Sequence, residues 1–207
     1  MTPDSPLEIE YKWQVPVSAS LARLAKLALP DSGKPHHKEK LYNRDYYFDT
    51  PERQIEKSSC AMRLRACGGK FLLTVKSATA LKNGMASRKE DNLAIKASTL
   101  RGAVTEAAKL NPFGIKPEKL RVLFKIYNRR TDYRLNFAGC SALASFDDVT
   151  IHLAMKAVRM KEIELEFAGG ALEYFHALAG QMARTAGLTP CAMSKVATAR
   201  AALEFLG

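Results

Sequence analysis

No run of about 18 apolar residues occurs anywhere in the 207-residue sequence, so no segment reads as a transmembrane helix. The N-terminus, Met-Thr-Pro-Asp-Ser-Pro, has neither a basic start nor an apolar stretch, which argues against a secretory signal peptide and for a cytoplasmic protein. Cysteine is scarce. Cys60, Cys67, Cys140 and Cys191 form no CxxC pair and have no histidine at zinc-ligand spacing, so four reduced, mostly buried thiols are expected. Glycine (12) and proline (9) are not enriched, and no low-complexity tract or repeat is present, which excludes fibrous, disordered and solenoid architectures. No RRM, KH or zinc-finger pattern occurs, so a nucleic-acid partner has no motif to support it.

What is present is an ordinary globular composition, with 47% apolar and 26% charged residues. Charges are spread along the chain rather than gathered in a tail, and residues 1–207 read as a single domain with a sizeable core. Lys plus Arg is 32 against 21 for Asp plus Glu, a formal charge of +11. That balance favours an anionic partner, whether a nucleic acid, a membrane surface or a phosphorylated small molecule. Composition cannot choose among these, but the placement of the charges can.

Alternation of apolar and charged residues predicts a strand over Leu7–Trp13. A short helix capped by Ser18 follows, then a loop over Lys34–Lys38 with His36 and His37 at its tip, then a strand over about 40–49. Thr50-Pro51-Glu52 opens a helical turn, and Cys60–Ala66 and Lys70–Lys76 form a hairpin around Gly68-Gly69. Further strands are expected at about 86–95, 121–137, 141–148, 150–158 and 160–167, with helices at Thr99–Leu110, Leu172–Ala186 and Ser194–Leu206. The class is α+β, with eight or nine mostly antiparallel strands in a dominant sheet or barrel.

The charges within these strands are sorted by face, because side chains alternate with period 2. Glu8, Glu10 and Lys12 share one face of the first strand, while Leu7, Ile9, Tyr11 and Trp13 share the other. Arg63 and Arg65 stand against Met62 and Leu64, Thr74 and Lys76 against Leu73 and Val75, and Arg88 shares a face with Glu90. Glu162, Glu164 and Glu166 share a face against Ile163, Leu165 and Phe167. A sheet with one wet face accounts for alternation. It accounts poorly for grouping by sign, since three glutamates in a row repel unless a cation sits among them. If the sheet curls into a barrel, the charged faces converge inside it. Acidic strands then suit hard divalent cations, and basic strands suit phosphoryl oxygens. A site with both is what metal-assisted phosphoryl transfer requires.

These residues resemble the CYTH family of triphosphate tunnel metalloenzymes. Glu8-Ile9-Glu10-Tyr11-Lys12 is similar to its ExExK signature, and Tyr47-Phe48-Asp49-Thr50-Pro51 to its YFDTP segment. Ala61–Arg65 resembles the ALRxR strand, Leu72–Lys76 the LTxK strand, and Arg88 with Glu90 the RxE element. Arg130–Arg134 resembles the central basic strand, Phe146-Asp147 the LD element, Glu162–Glu166 the ELELE strand, and Ser194-Lys195 the C-terminal SK. The matches run in order from about residue 7 to residue 195.

The resemblance implies a closed antiparallel eight-stranded β-barrel, a tunnel with a charged interior and surrounding helices. It implies hydrolysis of a triphosphate with Mg²⁺ or Mn²⁺, inorganic triphosphate first, yielding diphosphate and phosphate. Glu8, Glu10, Glu164 and Glu166 are then expected to hold the metal, with Glu162, Glu90 and Asp147 as further candidates. Lys12, Arg63, Arg65, Lys76, Arg88, Arg130, Arg134 and Lys195 are expected to bind the triphosphate. The chain departs from the family pattern at Asn92, where a second acid is usual after RxE, and at Thr198, where an Arg is usual; Arg200 comes later. Which of Arg129, Arg130 and Arg134 faces inward is open, since a bulge would reverse the parity. An adenylyl cyclase, an organic triphosphatase acting on thiamine triphosphate or a nucleotide, and a nonenzymatic module binding RNA or polyphosphate are the alternatives. His36 and His37 are expected in solvent, and His152 and His176 in packing or surface roles. Tyr11 and Trp13 are expected in the core.

Overall fold

The computed structural model describes residues 7–30, 37–77 and 84–205. Among these, nine strands and five α-helices follow one another: β1 (Leu7–Val15), α1 (Leu21–Ala28), β2 (His37–Asp49), α2 (Gln54–Lys57), β3 (Cys60–Cys67), β4 (Lys70–Ser77), β5 (Met85–Ile95), α3 (Leu100–Lys109), β6 (Arg121–Phe137), β7 (Cys140–His152), β8 (Ala157–Gly170), α4 (Leu172–Ala186), β9 (Thr189–Pro190) and α5 (Lys195–Glu204). The sheet order is β5-β4-β3-β2-β6-β7-β8-β1-β9, and β1 also pairs with β5. That last pairing closes strands β1 to β8 into an antiparallel barrel, with Glu8 opposite Arg88 and Glu10 opposite Ala86. The short β9 adds to the outside of the closure at Trp13 and Gln14. No helix among the described residues is long and apolar enough to cross a membrane.

Local chemistry explains the connections. Gly68 and Gly69 both take positive φ, +54° and +76°, as a two-residue hairpin between right-twisted strands requires. At Gly170 a Cβ would lie 2.2 Å from the Gly139 carbonyl oxygen, so only glycine lets the end of β8 pass that close to the β6–β7 turn. Asp49 accepts hydrogen bonds from the backbone N–H groups of Thr50 and Ile55 at 2.8 Å and of Glu56 at 3.0 Å. The Asp of the Tyr-Phe-Asp-Thr-Pro segment thus ties α2 to the end of β2 and has a structural task.

The outer faces carry the apolar half of each alternation. Trp13, Phe146, Ile163 and Leu165 pack under α1 and α4 against Phe175 and Leu178. Phe48, Met62, Leu64, Leu73 and Val75 pack under α2 and α3 against Ile55, Ala103 and Ala107. Tyr11 and Trp13 belong to the first of these clusters, as expected, and the Tyr11 hydroxyl lies 2.9 Å from His176 Nδ1. A third cluster sits on the inward parity. Phe124, Ile126, Val149 and Ile151 continue the faces of Arg130 and Asp147, and α5 lays Ala199, Val196 and Leu203 on them. One end of the barrel interior is therefore apolar and closed by α5.

The structure corrects three details of the sequence reading. The cap of α1 is Ser20, which accepts from Arg23 N–H, and not Ser18. The segments at 141–148 and 150–158 do not form two strands: β7 runs unbroken from Cys140 to His152 through Asp147 and Asp148, because both acids find arginine partners across the ladder to β6. His37 and Lys38 lie in β2 rather than at a loop tip, while His36, with residues 31–35, falls outside the described residues.

Candidate functional site

The charged faces meet inside the barrel around a cavity of about 380 Å³. β1 contributes Glu8, Glu10 and Lys12; β3 contributes Arg63 and Arg65; β4 contributes Lys76; β5 contributes Arg88, Glu90 and Asn92; β6 contributes Arg130; β8 contributes Glu164 and Glu166; and α5 contributes Ser194 and Lys195. The period-2 sorting is what brings these groups together, since each strand turns its alternate residues inward.

The carboxylates fall into two groups. In the first, Arg88 Nε donates to Glu8 at 2.7 Å and Arg88 Nη2 lies 2.8 Å from Glu10. Lys76 is 3.3 Å from Glu8 and also pairs with Glu90. Burial opposes the charge on Glu8, but Lys76 and Arg88 outweigh it and hold its pKa down to about 2. Glu166 completes this group and differs from the rest. Its carboxylate makes no hydrogen bond or ion pair among the described residues. Burial, with the like charges of Glu8, Glu10 and Glu164, pushes its pKa up to about 7.

The second group is Asp147, Glu162 and Glu164, whose oxygens lie within 4.8 Å of one another. Lys195 Nζ sits among them, 2.8 Å from Asp147 and 3.1 Å from Glu164, and pairs also with Glu162. Arg130 grips Asp147 with two bonds of 2.7 and 2.6 Å and reaches Glu164. Lys12 bridges Glu164 and Glu10, the latter at 3.0 Å, and so links the two groups. Three cations thus answer three buried carboxylates. Burial still pushes Glu162 up to about 7, whereas Lys12, Lys195 and Arg130 hold Glu164 well below the usual carboxylate range.

Most residues expected at the site line this cavity. Asp147 and Glu162 do not; they are fully buried behind Lys195. Arg134 is a correction. It shares the parity of Arg130 but stands exposed at the far end of β6, beyond the cavity, because parity fixes the face and not the height along the barrel. Arg129 points outward and pairs with Asp148 at 2.6 Å, so Arg130 is the inward arginine of this strand's pair. Asn92 replaces the second acid and lines the cavity, accepting from Thr74 Oγ1 at 2.8 Å and donating to Glu90 at 2.9 Å.

Sequence reasoning missed Asp45, Tyr47 and Asn128. Asp45, 3% exposed, takes two bonds of 2.8 and 2.7 Å from Arg65 and one of 3.5 Å from Arg63, and so orients both guanidinium groups. Their charges hold its carboxyl low against the cost of burial. Asn128 lines the cavity with both amide atoms buried and without a hydrogen-bond partner. The signal that could have found the first two is the odd-numbered run Asn43, Asp45, Tyr47 of β2, whose parity faces Arg65 and Arg63 across the ladder to β3, while Asn128 shares the parity of Arg130 on β6.

Comparison with known proteins agrees with this architecture. The family model of the CYTH domain matches residues 6–198. Among solved structures, the chain is similar to a Hippeastrum protein described as a candidate adenylyl cyclase with a dominant triphosphatase activity, at 19% identity and a TM-score of 0.70, covering 94% of this chain and 96% of that one. It is similar to a candidate adenylate cyclase from Bacillus halodurans at 20% identity and a TM-score of 0.60, with 91% and 94% covered. It is also similar to the capping enzyme triphosphatase of Mimivirus at 13% identity and a TM-score of 0.53, with 87% and 90% covered.

Proposed function

The chain belongs to the CYTH family, and from that premise we propose that it hydrolyses inorganic triphosphate to diphosphate and orthophosphate with Mg²⁺ or Mn²⁺. The observation that carries this reading is the lining of the cavity. Six carboxylates and seven cationic side chains, with Asn128 unpartnered beside them, surround about 380 Å³. Ion pairing within the protein does not exhaust such a lining, since Glu166 has no cation of its own. The Hippeastrum and Mimivirus proteins, which share the fold, are described as having triphosphatase activity.

The donor set fits a divalent cation. Glu166 is repelled by Glu8, Glu10 and Glu164, and a hard cation held by these carboxylates would relieve the repulsion. Bound there, the cation would supply Lewis-acid polarisation of the phosphoryl oxygens. The chain's own groups do the rest. Arg63 and Arg65, held as a pair by Asp45, present planar forks to phosphoryl oxygens. Lys76, Arg88 and Arg130 add charge from the neighbouring strands, and Lys12 and Lys195 from the far side. Asn128 offers an amide donor with no partner to give up. Phosphoryl transfer depends on positioning and charge stabilisation more than on a covalent nucleophile, so a rigid ring of donors is the relevant device.

The test is phosphate release from inorganic triphosphate with Mg²⁺ or Mn²⁺, against an EDTA control and beside ATP and thiamine triphosphate. Rapid metal-dependent release from inorganic triphosphate supports the reading. Turnover of ATP or thiamine triphosphate alone would replace it with the cyclase or organic triphosphatase reading, and no turnover of any of the three would end it.

A further inference from the structure

The helices leave part of the barrel wall bare. α1 and α4 cover the outer faces around β1 and β8, and α2 and α3 cover those of β3 and β4. Between them the middle of β2 and β6 turns its outward residues to solvent, and their charge is of one sign. Lys38, Lys40 and Arg44 of β2, Lys125 and Arg129 of β6 and Arg159 of β8 are all exposed. They form one surface, because Tyr42 stands opposite Arg129, Arg44 opposite Tyr127 and Tyr46 opposite Lys125, while Thr150 links Tyr127 to Arg159. Among the outward residues of β2, β6, β7 and β8 the one acid is Asp148, already held by Arg129 at 2.6 Å and Arg159 at 3.9 Å. Lys38, Lys40, Arg44 and Lys125 make no ion pair among the described residues. Three of them lie over rings instead: Lys38 over Tyr133, Arg44 over Tyr127 and Lys125 over Tyr46, at 5.5, 5.8 and 5.9 Å from the centroids.

We propose that this outer face binds single-stranded nucleic acid, with its phosphates on the lysines and arginines and its bases on the rings. The interleaving selects the partner. Tyr42, 67% exposed, stands between Lys40 and Arg44 on one face of β2, and Tyr127 packs against His152 at 4.5 Å. A sheet face on which cations alternate with accessible rings matches a polymer in which phosphates alternate with flat bases. Inorganic polyphosphate would use the cations and leave the rings without a purpose. An anionic membrane would call for aliphatic side chains at the centre of the face, where β6 and β7 present Thr131 and Thr150. No linear motif announces the surface, because its charges come from three strands far apart in the chain. None of these residues lines the cavity, so the proposal does not rest on the triphosphatase reading.

The test is fluorescence anisotropy of a labelled oligouridine of about 15 nucleotides, across a series of salt concentrations. The probe carries a 5′-hydroxyl, so it offers the cavity no triphosphate. Binding in the micromolar range is expected, weakening as salt rises. Lys40→Gln with Arg44→Gln should weaken it at least tenfold and make the salt slope shallower by about 1.4, the share of two phosphate contacts. Tyr42→Ala should weaken it about tenfold and leave the slope unchanged, because stacking releases no counter-ions. Thermal unfolding confirms that the variants remain folded. Lys109→Gln with Lys116→Gln removes two exposed charges away from this face and should change affinity less than twofold. Equal losses from the two double variants would reduce the effect to net charge and overturn the proposal. So would affinity indifferent to Tyr42, or no binding of the probe at tens of micromolar protein. Capture by phosphatidylserine vesicles without binding of the oligonucleotide would replace nucleic acid with a membrane surface.

Discussion

The two carboxylate groups inside the barrel are built alike, each from two alternating glutamates of one strand and a third acid from a neighbouring strand, yet they are opposites electrostatically. Asp147, Glu162 and Glu164 surround the ammonium of Lys195, so that cluster already contains its counter-cation. Glu8, Glu10 and Glu166 share cations that reach only two of the three, and Glu166 is left with a carboxyl pushed up to about 7. The first arrangement is finished by the chain; the second leaves one carboxylate without a cation of its own. An acidic cluster is therefore not a metal site by composition alone, and what separates the two here is a lysine delivered by a helix remote in sequence.

The largest effect that would break this contrast is expected at Lys195. Lys195→Met leaves three buried carboxylates answered by Arg130 and Lys12 alone, and should cost about 3–5 kcal/mol of stability. Urea denaturation checks it, and a loss under about 1 kcal/mol would mean that the cluster does not depend on its internal cation. Next comes the open group. Glu166→Gln should leave the fold intact and lower metal-dependent turnover about a hundredfold, or roughly 3 kcal/mol of barrier; parent-like turnover would remove this group from the metal site.

A third test uses pH. Burial pushes Glu166 and Glu162 up to about 7 when folded against about 4.5 in the unfolded chain, so the folded protein holds the extra protons between those values. Stability of the metal-free protein should then fall as pH rises from about 4.5 through 7, by on the order of 1–3 kcal/mol for each residue. Glu8, lowered to about 2, acts in the opposite sense, contributing stability above about 4.5 that is lost as pH falls toward 2. Mg²⁺ should abolish the Glu166 share of the decline and leave the Glu162 share, a distinction that denaturation at pH 5 and 7.5 with and without the ion reads directly. The smallest effect is expected outside the barrel. Arg129→Ala, which breaks an exposed pair with Asp148, should change stability by less than about 0.5 kcal/mol and leave turnover untouched. A large loss there would mean that the strand's inward and outward faces have been assigned the wrong way round.

Parity made most of the site legible before the structure. Glu8, Glu10, Arg63, Arg65, Lys76, Glu164 and Glu166 face inward in runs where charge alternates with an apolar residue, whereas Arg88, Glu90 and Arg130 stand in unbroken polar runs and were legible only through the family pattern. Asp45 was harder to read, since Arg44 on the outward face and Tyr47 on the inward face break the pattern. Arg134 shows the limit in the other direction. It has the right parity, but barrel strands are staggered, and the height of a residue follows from pairings such as Arg134 with His37 rather than from its own strand. Asp147 and Asp148 read as the end of a strand because acids are poor strand formers. Their cross-strand arginines, Arg130 and Arg129, override that preference through contacts far away in sequence.

The pairing that closes the barrel also orders its assembly. β1 bonds to β5 on one side and to β8 on the other, with Glu10 opposite Glu166 and Lys12 opposite Glu164. β1, made before the other strands of this barrel, thus keeps one edge unpaired until the residues of β8 have been made, and the charged interior stays open to water until then. Contacts of such long sequence separation fold slowly, and an open strand edge is the place where chains pair wrongly. The lysine that neutralises the second cluster arrives later still, on α5, so the interior gains its own counter-ion only after the wall around it is complete.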